Sequence, residues 1–357
     1  MNPAKYRDNF LRAVEFRYPD WIPCSVDIAP PVWKKYRERL EEVVLKYKSI
    51  FPWFKKGSVN YDWVGHRVKG TIFVDDWGCV WAFSEDGLQG QVVKHPLSDW
   101  SKLKELKVPD PDKGVCIEGG PTIPWEEIGE NVEKTRREGG LVVIGLSHGF
   151  FFQLLYYLRG FTNLMKDFVT KPPQLYELIK LVEEYYMELV KRAVKLKPDI
   201  ITFGDDLGCQ DRMPISPKTF REFIYPTYRK LFTYIRSHGI HVRLHSDGHV
   251  VEVLDQLVET GLSIINIQDR VNGINNIKRI CKGRVCIDLD IDRQYLLPRG
   301  TLSEIREHIR NAIIELGSRR GGLMFTAGVY QDVPLENIDA LCRALEELRT
   351  LHKTLPY

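Results

Sequence analysis

Residues Ile240–Val250, IHVRLHSDGHV, read as a short buried strand, His241–Leu244, that runs into His245, Ser246 and Asp247. Gly248 then turns the chain, and a helix opens near His249. An imidazole and a carboxylate one residue apart, where an apolar strand stops, match the way a (β/α)8 barrel presents its reacting groups, at the C-terminal ends of its strands.

Working outward, the same unit recurs. Upstream, Asp199–Phe203 ends on Gly204-Asp205-Asp206, and the apolar run Leu141–Leu146 ends on Ser147-His148-Gly149. Downstream, Ser263–Ile267 ends on Gln268-Asp269, Arg284–Ile287 on Asp288-Leu289-Asp290, and Gly322–Thr326 on Ala327-Gly328-Val329-Tyr330. A first strand, Trp21–Asp27, also ends on an acid. Helical patterns fill the intervals at about 124–138, 150–159, 162–169, 173–196, 217–238, 249–260, 273–281, 301–317 and 334–351. Ser216-Pro217 supplies an N-cap with proline in the first turn, and Thr301 with Glu304 has capping-box spacing. Strand then helix, repeated, predicts a parallel sheet, and the near-eightfold repetition favours a closed α/β barrel of the TIM type.

Two segments depart from the alternation. Residues 3–18 form an N-terminal helical segment, with a second, highly charged helix over about 31–47. Residues 51–110 are rich in Trp, Gly and Asp; Thr71–Val74 and Val80–Phe83 form a β-hairpin around Asp75-Asp76-Trp77-Gly78, joined by Gly90–Lys94. The expectation is one domain over 1–357 with this excursion folded over the barrel mouth.

Composition narrows the class. Hydrophobic residues make up 43% and charged residues 28% of 357, as in ordinary globular proteins. Net charge is +3 with no basic block, which argues against nucleic acid as a partner. No run approaches the ~18 apolar residues of a membrane span. Seven cysteines, an odd number without a C-x-x-C pair, fit a reducing, cytoplasmic setting in which most are small buried hydrophobes.

The strand ends carry Asp27, His148, Asp205, Asp206, His245, Asp247, Gln268, Asp269, Asp288 and Asp290. Singly, an acid after a strand turns the chain or caps a helix. Several acids and two histidines gathered on one rim are costly as decoration, because like charges raise each other's pKa unless a cation or substrate offsets them. Asp247 with His245 is therefore the candidate catalytic pair, and Asp205 or Asp206 its partner. The same His245–Asp247 pair could grip Zn2+, with a third ligand from Asp205, Asp206 or Cys209; the alternative is a metal-free hydrogen-bonded pair that positions substrate. Trp77, His148, Phe151, Asp288 and Tyr330 are candidate substrate-binding residues, and aromatic walls favour a flat ligand. For His148 the competing reading is a satisfied core histidine, and that is the expectation.

The run GDDLGCQDRMPISPKTFREFIYPTYRKLFTYIRSHGIHVRLHSDGHVVEVLDQLVETG, with VDDWGCVW and GGLMFTAGVYQDVPLENIDAL, resembles the uroporphyrinogen decarboxylase superfamily, which includes cobalamin-dependent methyltransferases. The resemblance spans most of the chain and implies the (β/α)8 barrel. The decarboxylases' Arg-Gln-Ala-Gly-Arg motif is missing from DIAPPVWKKYRERL, which argues against porphyrinogen chemistry. The thiol-methylating branch holds zinc with His-x-Cys and a second Cys. Here His245 matches, Asp247 replaces the first Cys, and Val329 stands about where the second is expected. The resemblance therefore implies transfer of methyl from an O-methyl small molecule, such as a methoxylated aromatic, to a corrinoid (cobalamin) on a separate protein. Zinc and a homodimer remain open, and a decarboxylase or a non-catalytic binding barrel are the alternatives.

Overall fold

The computed structural model describes residues 2–355. The fold is of the α/β TIM-barrel class: parallel strands alternate with helices along the chain. Its residues fall into two compact units, one comprising 1–66, 86–88 and 264–357, the other 67–85 and 89–263.

In the first unit, parallel strands Cys24–Ile28, Leu323–Val329, Cys286–Asp290 and Ile264–Gln268 lie side by side in that order. Ile265, Ile267, Ile287 and Leu289 are fully buried, which is why these segments read as apolar runs without alternation. Helices Leu302–Leu316 and Leu335–Leu348 pack on one another, and the first opens on the expected Thr301–Glu304 capping box. The N-terminal helix Pro3–Val14 starts from an Asn2 cap.

The second unit carries parallel strands Val143–His148, Ile200–Gly204 and His241–Ser246. Helices Phe151–Arg159, Phe161–Thr170 and Pro173–Lys195 follow the first of these. The expected excursion is present as a three-stranded antiparallel sheet of Ile72–Val74, Val80–Ala82 and Gln91–Lys94. Several details differ from the sequence reading. The helix expected over about 31–47 is broken at Arg37 into Pro30–Tyr36 and Glu38–Lys46. The helix expected over 217–238 is broken at Ile224 into Pro217–Phe223 and Tyr225–Ser237. Pro226 has no N–H to donate and its ring crowds the preceding turn, so the helix restarts there. A small hairpin, Gly114–Cys116 with Thr122–Pro124, has no counterpart in that reading; it packs by strand Val143–His148.

The aromatic core of this unit centres on Phe150, which is fully buried. Its ring lies 4.5 Å from Phe203, 4.7 Å from Tyr186 and 5.1 Å from Tyr228, centroid to centroid. Its N–H donates to the Gly204 carbonyl at 2.9 Å. Phe150 thus ties the turn after one strand to the end of the next. Phe150→Ala should cost about 3–5 kcal/mol, the usual loss for emptying a buried aromatic site; a denaturant midpoint within error of wild type would show that the core does not depend on it.

Candidate active site at the strand ends

Register builds the site. His148 pairs with Gly204 across one strand boundary, and Gly204 pairs with His245 across the next. Strands two apart lie roughly 10 Å from each other, too far for neighbouring rings to meet over an ordinary residue. Between these histidines stands a glycine, and a Cβ there would overlap His148 Cδ2. The two imidazoles lean over the gap, with ring centroids 5.5 Å apart. A register shift between Gly145 and His148 helps to aim the His148 ring. Ser147 holds a left-handed φ of 85° at that point, a conformation that costs a non-glycine residue energy and clusters at functional sites.

Asp206, two residues beyond Gly204, reaches both rings. Its Oδ1 lies 3.5 Å from His148 Nε2 and 3.7 Å from His245 Nε2. Asp247 Oδ1 is 3.3 Å from His245 Nε2, and the Asp247 N–H donates to Asp206 Oδ1 at 3.0 Å. Gly208 and Gly248 let the two turns carrying these acids close on each other, because a Cβ on either would overlap the other's backbone or that of His249. Behind His148, Nδ1 meets Glu118 Oε2 at 2.9 Å. Tyr157 donates its hydroxyl to Glu118, Gln153 donates to Tyr157 at 2.9 Å and to Asp206 Oδ2 at 3.2 Å, and the Asp206 N–H donates to Gln153 Oε1. The network closes back on Asp206.

Charge follows from this geometry. Burial alone would lower the His148 pKa, but Asp206 and Glu118 on its two sides outweigh it and raise it to about 11. His245 is likewise penalised by burial yet pushed up by Asp247 and Asp206. For Asp206, burial would raise the pKa, and the two imidazoles hold it below the usual carboxylate range. The cluster therefore favours positive charge on or between the rings. One ligand atom each from His148, Asp206 and His245 lies within 4.8 Å of the others, so these three could hold a metal ion. Among the described residues, neither Asp205 nor Cys209 joins a group of that kind.

The candidates read from the sequence separate accordingly. His245, Asp247 and Asp206 come together, and His148 joins them. The expectation of a satisfied core histidine is corrected, since the His148 side chain is 34% exposed and faces carboxylates on both sides. Asp205 is corrected from catalytic partner to helix anchor. It is fully buried, accepts from Phe152 N–H at 2.7 Å and Gln153 N–H at 2.8 Å, and also takes the Tyr228 hydroxyl. Phe151 is corrected from substrate contact to core, because its side chain has no exposed surface. Trp77 stays beside His148: both line a cavity of about 20 Å³, room for a water molecule, together with Trp81, Tyr157, Tyr185 and Glu118. Asp288 and Tyr330 belong to the first compact unit. There Asp288 accepts from the Thr326 hydroxyl at 2.8 Å, and Tyr330 faces Arg293 with the guanidinium 5.6 Å from its ring centre. Sequence reasoning missed Glu118 and Gln153, and it reads Tyr157 only as one of several aromatic residues near the mouth, most of them packing. Their only signal along the chain is an acid ahead of Gly119-Gly120-Pro121, and side chains at i and i+4 of a helix that reads as plain core.

Comparison with known proteins places the chain. The family model described as uroporphyrinogen decarboxylase (URO-D) matches residues 61–348, and the chain belongs to that family. A methylcobamide:CoM methyltransferase, MtaA, of Methanosarcina barkeri is 23% identical over 52% of this chain and 52% of its own length. The chain thus spans about half of that relative. A uroporphyrinogen decarboxylase of Trichodesmium erythraeum is 22% identical over 90% of this chain and 93% of its own. Among solved structures, a methyltransferase from Methanosarcina mazei superposes with a TM-score of 0.67 at 18% identity, covering 96% of this chain and 98% of that one; this likeness is one of fold. No helix among the described residues is long and apolar enough to cross a membrane.

Gly204→Ala should keep the fold while driving the His148 ring off Asp206, seen as a changed imidazole resonance in NMR; an unmoved His148 signal would show that the gap is not needed. Burial pushes the Asp205 carboxyl up to about 7, so its proton is favoured by folding. Its stabilising contribution is complete below the unfolded-state pKa and is lost as pH rises through the folded value. The wild type should therefore lose stability relative to Asp205→Asn between pH 5 and pH 8, and a constant offset across that range would refute a protonated Asp205.

Proposed function

We propose that this protein transfers a methyl group from an O-methyl substrate, in the class of methoxylated aromatics, to the cobalt of a corrinoid carried by a separate protein. What supports the reading is the constellation of His148, His245 and Asp206 backed by Glu118, with oxygen at Asp247 and an apolar side chain at Val329 where sulfur would be expected by resemblance. The methylcobamide:CoM methyltransferase relative adds the reaction class.

An ether methyl leaves its oxygen with the bonding electron pair on that oxygen. A phenolate or alkoxide is a poor leaving group unless positive charge or a proton meets it as the C–O bond breaks. Corrinoid, when bound, supplies the methyl-accepting cobalt. The residues of this chain act on the other end of the breaking bond. Asp206 and Asp247 orient the His245 ring, Glu118 orients His148, and the two imidazoles offer positive charge to the departing oxygen. The nearby indole and phenol rings of Trp77, Tyr157 and Tyr185 line the small cavity beside His148.

A second reading, decarboxylation, is favoured by the near full-length match to a uroporphyrinogen decarboxylase. It lacks the arginine motif that would hold a porphyrinogen's carboxylates, since residues 27–40 read DIAPPVWKKYRERL.

The purified protein, a reduced corrinoid protein and a panel of methoxylated aromatics should together form methylcobalamin, followed by its absorbance. His148→Ala should lower that rate about 10²–10⁴-fold, the usual worth of a positioned acid. Full turnover in His148→Ala would sink the assigned site, and CO2 release from a carboxylated substrate without corrinoid would favour the second reading.

A further inference from the structure

We infer that Arg243 is a specificity-determining residue, and that the methyl ether this protein takes carries a carboxylate on its aromatic ring. The inference rests on the proposed function for the position of the ether oxygen, at the two imidazoles.

Parallel register sets a second row of residues one step nearer the strand starts. Gly145 pairs with Thr202, and Thr202 pairs with Arg243. Thr202 and Arg243 stand two residues before Gly204 and His245, so each shares a face of the sheet with its successor. Burial agrees. Along strand His241–Ser246, Val242 and Leu244 are fully buried, and Arg243 and His245 are the two half-buried positions. Thr202 is the one residue of Ile200–Gly204 that is not buried. Arg243 therefore belongs to the same face as the imidazole pair.

That face is open at the second row. The interior of a TIM barrel is normally filled by layers of side chains. On strand Val143–His148, Ile144 and Leu146 are buried on one side, whereas Val143 is 46% exposed and Gly145 is exposed on the other. A Cβ at Gly145 would meet no atom within 4 Å, and Gly145 has no positive φ that would call for glycine. Its missing side chain keeps space rather than turning the chain. With the gap at Gly204 it leaves a slot from the imidazole row to the Gly145–Thr202–Arg243 row, two residues or ~6.6 Å along the strands. One benzene ring substituted at both ends bridges that length. All of these residues lie within one compact unit.

The far end of the slot carries a cation. A guanidinium stays charged at any working pH, and its planar fork matches a carboxylate. Its five N–H donors allow it to keep a protein neighbour and still give two to a ligand. The Thr202 hydroxyl stands beside it in the row. A neutral ring offers that fork no acceptor, so an anionic substituent is the feature that Arg243 selects.

Binding is read by calorimetry on the full-length protein without corrinoid, so failure of methyl transfer and failure of this inference are separate results. The probes are 3- and 4-methoxybenzoate, each compared with its methoxybenzyl alcohol. Wild type should bind at least one acid about 10–100-fold tighter than the matching alcohol, the usual worth of hydrogen bonds to a charged group. Arg243→Gln should abolish that preference and keep the alcohol's affinity, and Arg243→Lys should restore part of it. Gly145→Val leaves the charge intact and enters open space, so it should fold and weaken acid and alcohol alike by closing the slot. Wild type that binds neither acid, or binds acids and alcohols equally, overturns the inference. A preference for acids that survives Arg243→Gln, or undiminished acid binding in Gly145→Val, overturns it as well.

Discussion

The arrangement of the candidate site depends on an absent side chain. His148 and His245 sit on strands that are not neighbours, and the strand between them offers Gly204 at the shared register position. With any Cβ there, the His148 ring would be displaced, and the imidazoles could not share one carboxylate. The parallel ladder provides the spacing, and the glycine turns that spacing into a meeting point.

The adjacent acids Asp205 and Asp206 show how one residue of chain direction divides structure from chemistry. Successive side chains at a strand end point to opposite sides. Asp205 turns toward the N-terminus of helix Phe151–Arg159 and satisfies two of its backbone donors, so that helix is anchored to the strand end. Asp206 turns toward the imidazoles. The same helix returns Gln153 to Asp206 and Tyr157 to Glu118, so the anchor made by Asp205 also positions the groups that hold Asp206 and His148. Their titration diverges for the same reason: burial dominates at Asp205, and neighbouring imidazoles dominate at Asp206.

The turn after strand His241–Ser246 presents His245 and Asp247, with carboxylate oxygen in the place that the resemblance assigns to sulfur. Oxygen and nitrogen donors are harder than thiolates, and they match a reaction in which charge builds on oxygen. The aromatic residues do two jobs. Phe150 and Phe151 hold the core under the site, while Trp77 closes against Tyr185 beside His148 at 4.9 Å between ring centres.

Much of the fold is readable along the chain, because apolar strands alternating with amphipathic helices carry their period locally. The seven parallel strands fall within a few residues of their expected positions, and the excursion around Trp77 is where its turn residues indicate. His245, Asp247 and Asp206 are legible as strand-end polar groups, since only a few residues follow each apolar run. What linear sequence does not show is register and side-chain direction. It does not tell Asp205 from Asp206, because both follow the same strand and only packing decides which one meets the helix. It does not separate Phe151 from a cavity-lining ring, or draw Glu118 in from a hairpin 30 residues before His148. Local periodicity determined the elements; long-range pairing across Gly204 decided which of their ends share one site.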